Sequence, residues 1–352
     1  MQLTITPDNP LEWLALRANI VPWPLLHAQI MPVVAKAVLE AADRGVFVAV
    51  SVEPKTAEAV AETCRLHPKA TRELLSLLTA LGYVTYNQEQ FVLSASARKW
   101  MLPGQPDSVQ GMMPFNNRLM WNWLGEMGHY LETGEGVHYH DQLTPDQWSL
   151  YQNGMQAATA SEAREFGRRV TVSKAVRAGD TTLMLDIGGA HGQHSVALCR
   201  RFPALTAVIL DLPEAIEQAA PLLAVQEMGN RVRHQSGNAL TDDLGENQYD
   251  VVLLSSLAHH FTDAQNQELA RRVARSLRPG GVYIVNEFIR PDVGAKPELV
   301  GASTDLFYGL TSTAGNYSVS EIQDWQRSAG LKPGKVVWYR TIPGRAMVVG
   351  AK

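Results

Sequence analysis

The chain has 352 residues, of which 45% are hydrophobic and 19% are charged, and its formal net charge is −4. This composition is typical of a folded globular protein and excludes a disordered chain. The length favours two domains. No long run of one charge sign occurs, so nothing in the charge pattern favours nucleic acid or an anionic membrane as a partner.

Cysteine usage and the first thirty residues bear on the compartment. Cys64 and Cys199 lie in separate, apparently helical segments without CxxC spacing, which fits a reducing environment. The first thirty residues lack the basic start, apolar centre and cleavage site of a signal peptide. Polar residues interrupt every apolar stretch of about 18 residues, so no membrane span is expected. These features predict a cytoplasmic protein.

The pattern up to about residue 173 is mostly helical. Apolar residues recur at spacings of three and four near the start and predict one apolar helix face. They are Leu25, Leu26, Ile30, Val33, Val34 and Ala37.

The stretch "EPKTAEAVAETCRLHPKATRELLSLLTALGYVTYNQEQFVL" predicts a winged-helix outline. It contains two short helices, the second at about 68–81, then Gly82 as a stop and two strands joined through "NQEQ". A DNA-reading helix should be basic. The second helix instead offers Lys69 and Arg72 against Glu73, so we predict no nucleic-acid partner.

From about residue 180, short β-rich runs such as "TLMLDI", "LTAVILD" and "YDVVLLSS" alternate with helices. This alternation predicts a mostly parallel sheet covered by helices on both faces. Ligands of such sheets bind at the carboxyl ends of the strands. We therefore predict two domains, 1–173 and 174–352, with the function carried by residues that follow the strands.

The run "LMLDIGGAHGQHS" places Asp186 at the end of the first strand and Gly188, Gly189 and Gly192 in the turn that follows. Such a turn lets the backbone approach a ligand closely. The spacing lacks the first alternation of GxGxxG, and GxxxxGK[ST] is absent. A dinucleotide, another nucleotide or a merely tight connection all remain open from the glycines alone.

The second strand, "LTAVILDLP", ends in Asp211, about twenty residues after the glycines. A carboxylate at this position can accept hydrogen bonds from both hydroxyls of a ribose, which predicts an adenosine ligand. Asn238, in "SGNAL" after the third strand, either reads the adenine edge or simply fills a turn.

The motifs "LDIGGAHG", "AVILDLP", "SGNAL", "YDVVLLSSLAHHFTD", "LRPGG" and "VYIVNEFIRP", in this order, resemble the S-adenosylmethionine-dependent O-methyltransferases related to the caffeic acid and hydroxyindole enzymes. The resemblance covers nearly the whole chain. It implies a Rossmann-like class I methyltransferase domain with a mostly parallel seven-stranded sheet. A mainly helical winged-helix dimerisation domain would precede it, so a homodimer through the N-terminal domain is expected.

The resemblance also implies S-adenosyl-L-methionine as cofactor and S-adenosyl-L-homocysteine as product. Gly188 and Gly189 would pass near the methionine moiety, Asp211 would hold the ribose, and Asn238 stands where the family usually has an Asp near adenine. Ser255 stands where plant members often have Lys. The full set of expected cofactor residues is Asp186, Gly188, Gly189, Gly192, Asp211, Leu212, Asn238, Ala239, Ser255 and Thr159.

The fourth strand runs into "LAHHFTDAQNQ", which places His259 and His260 at its carboxyl end. Thr262 and Gln265 then form the capping box of a helix. A neutral histidine suits removal of a phenol proton. On the family's "LHDWSD" pattern, His259 matches the base and His260 replaces the Asp. Either histidine could instead be a hydrogen-bonded loop residue.

Strand five ends in "VNEF", and Glu287 falls where the family has an acid that orients the histidine. A carboxylate that accepts from one imidazole nitrogen leaves the other free to take a proton. The alternative is a solvated glutamate at a strand end. The family's second acid is missing near "AGNYSVSE", where Asn316 and Tyr317 stand instead.

The stretch "YQNGMQAAT" resembles the family's "FNxGM" helix, whose Met lies against the acceptor ring. Here that residue is Met155, with Tyr151 on the same face and Thr159 towards the cofactor carboxylate. A Met at helical spacing is also common in a plain core. The expected substrate residues are Met155, Tyr151, Trp121, His260 and Asn316.

These residues predict an O-methyltransferase acting on a hydroxyl of a small aromatic, phenolic or polyketide-like secondary metabolite. No HExxH, cysteine cluster or dense set of acids appears, so we predict no catalytic metal. Two alternatives remain. One is a C- or N-methyltransferase on the same scaffold, and the other is a catalytically silent winged-helix binding or scaffold protein.

Overall fold

The structure is a computed structural model that describes residues 7 and 9–352. An N-terminal unit ends at Trp121, and a second unit runs from Asn122 to Lys352. The predicted domains, 1–173 and 174–352, have a different boundary and stay a prediction. Residues 1–6 and 8 of the first predicted domain lie outside the described residues.

The N-terminal unit consists of short helices and one hairpin. Its α-helices are α1 (Pro10–Arg17), α2 (Trp23–Leu25), α3 (Met31–Asp43), α4 (Val46–Ala49), α5 (Ala57–Cys64), α6 (Pro68–Ala80), α7 (Ala95–Met101) and α8 (Met112–Phe115), and α9 (Trp121–Trp123) joins the two units. Its strands are β1 (Val84–Asn87) and β2 (Gln90–Leu93). Two π-helical turns, Leu26–Ile30 and Asn116–Met120, adjoin α3 and α8.

The hairpin and the helix before it follow the sequence prediction. Helix α6 starts with Pro68 and ends at Ala80, and Gly82 then adopts φ +75°. Strands β1 and β2 pair antiparallel through Gln88 and Glu89, which both have positive φ. The winged-helix outline of this unit is therefore confirmed.

The predicted apolar face near the start is largely exposed in the single chain. Leu25, Ile30 and Val33 each expose more than half of their surface. The helical run Trp23–Asp43 is long and apolar enough, by length and composition alone, to cross a membrane. His27 and Lys36 interrupt it, and one such helix is weak evidence for a membrane span. The absence of a span stays a prediction.

The second unit alternates helices and strands. Its helices are α10 (Met127–Thr133), α11 (Pro145–Arg169), α12 (Lys174–Ala178), α13 (Gln193–Arg201), α14 (Pro213–Ala224), α15 (Asp263–Ser276), α16 (Leu299–Thr311) and α17 (Val319–Ser328). Its strands are β3 (Thr182–Ile187), β4 (Leu205–Asp211), β5 (Val232–Ser236), β6 (Tyr249–Ser255), β7 (Leu277–Phe288), β8 (Lys332–Pro333), β9 (Val337–Trp338) and β10 (Arg345–Ala351). Short 3-10 turns lie at Leu124–Glu126, Tyr139–Gln142, Gly229–Arg231 and Ala258–His260.

The sheet of this unit has the strand order β5-β4-β3-β6-β7-β10-β8, and β9 also pairs with β10. The pairs from β5 to β7 are parallel, whereas β10 runs antiparallel to its neighbours. The predicted mostly parallel, Rossmann-like sheet is confirmed. The strand order reverses between β3 and β6, and ligands bind at such a switch point.

Two apolar clusters, on residues that alternate along the strands, cover the sheet. Leu185, Val252 and Tyr283 belong to one cluster, and Met184 and Val251 belong to the other. Because alternate residues of a strand point to opposite faces, both faces are buried. A polar site is therefore expected at the carboxyl ends of the strands rather than on the faces of the sheet.

Candidate active site

A cavity of about 290 Å³ opens at the switch point. The predicted residues that line it are Gly188, Asp211, Leu212, Asn238, Ala239 and His260. They follow strands β3, β4, β5 and β6. The structure thus brings together residues from four strand ends, as expected for a parallel sheet.

The glycine turn packs so tightly that side chains would not fit. A Cβ on Gly189 would lie 2.4 Å from Asp186 Cγ, and Gly188 has φ +66° with Leu257 Cδ2 2.6 Å from its would-be Cβ. Gly192, at φ +72°, precedes α13. The backbone of this turn can therefore come close to a ligand without intervening side chains.

Asp186 lies beneath the turn with 1% of its surface exposed. Its Oδ2 accepts a hydrogen bond from Ser195 Oγ at 2.6 Å. Its Oδ1 is buried without a partner among the described residues. Burial raises the pKa of this carboxyl.

Asp211, at the end of β4, is held by backbone amides. Its Oδ2 accepts from Ala190 N at 2.9 Å and its Oδ1 from Leu212 N at 2.8 Å. Burial raises its pKa to about 6, although these two hydrogen bonds oppose the rise. The result is a fixed acceptor that faces the cavity and suits neutral hydroxyl donors.

Asn238 turns its side chain back to its own loop. Its Oδ1 accepts from Leu240 N at 2.9 Å, and its backbone N donates to Asp242 Oδ2 at 2.9 Å. This is an Asx turn, which the sequence left open as the alternative to base recognition. The residue nevertheless lines the cavity.

His259 and Glu287 form a buried pair, each about 3% exposed or less. His259 Nδ1 lies 3.2 Å from Glu287 Oε2, and Glu287 Oε1 accepts from Leu257 N and Ala258 N at 2.7 and 2.8 Å. Both carboxylate oxygens are thus committed, and the ring proton belongs on Nδ1. His259 Nε2, which has no hydrogen-bond partner among the described residues, is left as an acceptor.

His260 has different surroundings from His259. It lines the cavity, and its ring centroid lies 4.5 Å from that of His140. Burial, with His259 and His140 nearby, lowers the pKa of His260 well below its ordinary value. Burial likewise lowers the pKa of His140 to about 4. These two imidazoles are therefore neutral hydrogen-bonding groups near pH 7.

Aromatic rings pack around the histidines. Tyr308 stacks on His259 with centroids 3.9 Å apart, and Trp148 stacks on His140 at 5.3 Å. Tyr139 Oη donates to Tyr151 Oη at 3.3 Å. Burial raises the pKa of Tyr151 to about 12, so this phenol stays neutral.

Thr159, the last residue of the α11 motif "YQNGMQAAT", contacts the glycine turn. Thr159 Oγ1 donates to Met155 O at 2.8 Å and lies 3.3 Å from His191 Nε2. His191 Nδ1 accepts from Gln193 N at 3.4 Å, which places the His191 ring proton on Nε2. Thr159 therefore bridges α11 and the turn.

Several predicted residues do not line this cavity, and three of them have other surroundings. Asn316 Nδ2 donates to Thr304 Oγ1 at 2.8 Å, and Asn316 borders a second cavity of about 370 Å³. Trp121 belongs to the N-terminal unit, where Lys36 Nζ lies 5.3 Å from its ring centroid. Ser255 Oγ accepts from Asn286 Nδ2 at 2.9 Å. Their predicted roles stay predictions.

Two groups of cavity-lining residues could not be predicted from the sequence. His138, Tyr139 and His140 line the cavity from the loop before α11, and 311–313 line it from the end of α16. A Cβ on Gly136 would lie 2.8–3.0 Å from backbone oxygens at 309, 310 and 312. Tertiary packing of this kind has no local sequence signal.

A glycine turn after β3, an acid after β4 and a histidine–acid pair after β6 and β7 together define a class I methyltransferase fold. The comparisons agree with this class. A family model described as the O-methyltransferase domain matches residues 134–331. The chain therefore belongs to the S-adenosylmethionine-dependent O-methyltransferase family.

Several relatives illustrate the range of this family. A 3-hydroxy-5-methyl-1-naphthoate 3-O-methyltransferase of Streptomyces sahachiroi is 24% identical over 325 residues, covering 89% of this chain and 90% of the relative. The N,N-dimethyltransferase OxyT of Streptomyces rimosus is 26% identical over 269 residues, covering 72% and 75%. The structure of human N-acetylserotonin methyltransferase in complex with SAM has a TM-score of 0.80 at 17% identity and covers 99% of each chain.

Proposed function

We propose that this enzyme methylates a hydroxyl group of a small aromatic secondary metabolite, with S-adenosyl-L-methionine as methyl donor and His259 as general base. The pair of His259 Nδ1 and Glu287 Oε2, 3.2 Å apart, carries the proposal. It leaves Nε2 free to take a proton, which is the task that O-methylation of a phenol sets.

The cavity fits the adenosine part of the cofactor. Asp211 supplies a partly buried acceptor that has no cationic partner among the described residues, which suits the two ribose hydroxyls. Gly188 and Gly237 line the wall without side chains, and Asn238 and Ala239 lie where the adenine edge is expected. When bound, the cofactor supplies a methyl group on a positively charged sulfur.

The chain's own residues then handle the proton. The hydroxyl proton of the acceptor moves to His259 Nε2, and the resulting imidazolium is stabilised by Glu287 through Nδ1. His260 is a poor alternative base, because burial and the neighbouring imidazoles disfavour its charged form. Its place on the cavity wall suits a hydrogen bond to substrate.

Relatives support the substrate class. The naphthoate enzyme is named for methylation of an aromatic hydroxyl. In this chain, Tyr308 and Tyr151 add ring surface beside the histidines, and Met155 lies on the Tyr151 helix. Flat apolar rings of this kind favour an aromatic acceptor. A catalytic metal is not part of the proposal.

A second candidate is N-methylation, because the relative OxyT is named an N,N-dimethyltransferase. A neutral amine acceptor needs a base only after or during methyl transfer. The experiment that separates the candidates is incubation with methyl-labelled cofactor and matched phenol and aniline acceptors, followed by NMR of the product. Labelled methyl ether supports the proposal, and exclusively N-linked or C-linked label contradicts it.

The homodimer is also a proposal. Its support is the exposed apolar surface of the N-terminal unit, which includes Leu11, Trp13, Leu14, Ile20, Leu25, Ile30 and Val33. A surface of this kind is typical of an interface. Light scattering after size exclusion should give twice the chain mass of 38.7 kDa. A single-chain mass at micromolar concentration would contradict the dimer.

A further inference from the structure

A second buried charge pair, Glu162 on α11 and Arg345 on β10, lies outside the histidine–acid pair. Glu162 is 2% exposed and Arg345 is 3% exposed. Glu162 Oε1 accepts hydrogen bonds from His194 Nε2 at 3.0 Å and Asn286 Nδ2 at 2.8 Å. Arg345 Nε forms an ion pair with the same oxygen at 2.9 Å, outside hydrogen-bond geometry. These contacts hold the carboxylate charged, and its pKa is lowered to about 2 although burial opposes this.

Each member of the pair has at least one side-chain atom without a hydrogen-bond partner among the described residues. Arg345 Nη2 donates to Ser256 Oγ at 2.6 Å, to Ser255 Oγ at 3.2 Å and to Asn286 O at 3.2 Å. Within the described chain, Arg345 Nη1 and Glu162 Oε2 have no hydrogen-bond partner. Neither atom is among the fully buried unpartnered atoms, which include Asn286 Oδ1. Both therefore keep a small accessible surface.

The pair lies across the switch point from Asp211. In the order β4-β3-β6-β7, Asp211 ends β4, whereas Ser255 and Asn286 lie at the ends of β6 and β7. Thr159, one turn before Glu162, contacts the glycine turn that follows β3. A ligand that starts at Asp211 and crosses the glycine turn towards His259 thus extends towards the pair.

We propose that Glu162 and Arg345 together hold the amino-acid end of the cofactor, with Glu162 Oε2 accepting from its α-ammonium and Arg345 Nη1 donating to its α-carboxylate. This inference rests on the proposed function. A zwitterion offers one cation and one anion on adjacent carbons, which matches one free acceptor and one free donor held side by side. A buried pair with unused valences is costly unless a ligand completes them.

The test is calorimetric binding to the full-length protein. The ligands are S-adenosylhomocysteine, its analogues lacking only the α-amino or only the α-carboxylate group, and 5′-methylthioadenosine, which lacks the amino-acid end. Loss of a hydrogen bond to a charged group weakens binding by roughly 10- to 100-fold. We expect the wild type to show that loss for each deleted group.

Variants then assign each ligand group to its residue. Arg345→Met should bind the homocysteine ligand and its decarboxylated analogue equally, and Glu162→Gln should no longer distinguish the deaminated analogue. Glu165→Gln is the matched control. Glu165 is a neighbouring buried carboxylate on α11, but its oxygens already accept from Arg340 N and Thr341. It should keep the wild-type ligand preference.

Each outcome of these binding measurements either supports or overturns the proposed role of Glu162 and Arg345. Removal of one member of a buried pair can unfold a protein, so the double variant Glu162→Gln/Arg345→Met and the wild-type ligand series provide a second reading. A double variant that still prefers the homocysteine ligand over 5′-methylthioadenosine overturns the inference. A wild type that binds all four ligands equally also overturns it and leaves the proposed function intact. A wild type that binds none contradicts the proposed function itself.

Discussion

Glu287 and Glu162 are equally buried, at 2% exposure each, yet they have different partners. Glu287 faces an imidazole, His259, and its other oxygen accepts from two backbone amides. Glu162 faces a guanidinium, Arg345, and two further donors on the same oxygen. In the proposed function the first pair exchanges a proton with the substrate, because a neutral imidazole can act as a general base. The second pair keeps its charges at every ordinary pH.

In our proposals, one edge of the sheet carries both the proton-transfer pair and the cofactor-binding pair. Both carboxylates lie near the ends of β6 and β7, where Asn286 donates to Glu162 and its neighbour Glu287 meets His259. Glu287 is paired with His259, the imidazole that gains and loses a proton in the proposed function. A group that must stay charged is paired with arginine, which is not deprotonated in proteins.

The largest expected effect belongs to the histidine of the first pair. His259→Ala should lower the single-turnover rate of methyl transfer by roughly 10²- to 10⁴-fold, because the general base is lost. Affinity for S-adenosylhomocysteine should change little. Rapid-quench measurements at saturating cofactor check the rate.

His260→Ala is the matched control for this experiment, since it removes the adjacent imidazole. We expect it to weaken acceptor binding while it keeps most of the single-turnover rate. An equal loss of rate in both variants, or a greater loss in the His260 variant, would contradict the assignment of His259 as the general base.

Glu287→Gln should sharpen the contrast between the two carboxylates. The amide can still accept from the backbone, but it no longer stabilises an imidazolium, so the rate should fall about 10- to 100-fold with an unchanged dissociation constant for the cofactor product. Glu162→Gln should do the reverse and mainly weaken cofactor binding. Steady-state kinetics combined with calorimetry distinguishes the effect on rate from the effect on cofactor binding. Identical behaviour of the two variants would contradict different roles for Glu287 and Glu162.

Asp211 is a partly buried carboxylate that forms no ion pair with a described residue. Asp211→Asn should weaken binding of S-adenosylhomocysteine by roughly 10- to 100-fold, because the ribose loses a charged acceptor. The wild-type pKa of about 6 also predicts a pH effect. The carboxylate is protonated as pH falls through 6, so affinity should drop there in the wild type.

Calorimetric titrations between pH 5 and 8 measure this effect, with the exposed Asp243→Asn as control. The Asn variant at 211 should lack the drop near pH 6. A wild type whose affinity is flat across this range would show that Asp211 does not receive the ribose.

Acid stability gives the smallest expected effect. The folded-state pKa of Glu162 is lowered to about 2, below the roughly 4.3 of an unfolded glutamate. Its contribution to stability is therefore fully present above about pH 4.3 and lost as pH falls towards 2, on the order of 3 kcal/mol in total. Urea unfolding at several pH values should show this loss in the wild type but not in Glu162→Gln/Arg345→Met. Parallel pH profiles would contradict it.

Much of the site could be predicted because its residues follow strands that are continuous in sequence. The run before Asp186, the acid at Asp211 and the histidines after β6 each carry a local pattern. The order of these runs also identified the family. Glu287 could be predicted for the same reason, since it ends a strand.

The remaining parts depend on tertiary packing. Arg345 meets Glu162 only because β10 inserts antiparallel beside β7, and no spacing in the chain indicates that contact. His140 reaches the cavity because the loop before α11 packs on the end of α16. Asn238 is different, because its role in a turn was one of two alternatives that the sequence left open.

The central claim is that His259, oriented by Glu287, removes the proton of an aromatic hydroxyl during methyl transfer. The most direct measurement is carbon NMR of the products formed from [methyl-13C]-S-adenosylmethionine and a panel of hydroxylated naphthoates. The wild type and His259→Ala are incubated with these compounds in parallel. We expect a labelled aryl methyl ether from the wild type and at least a hundredfold less from the variant. Label on carbon or nitrogen alone, or an undiminished ether signal from the variant, would contradict it.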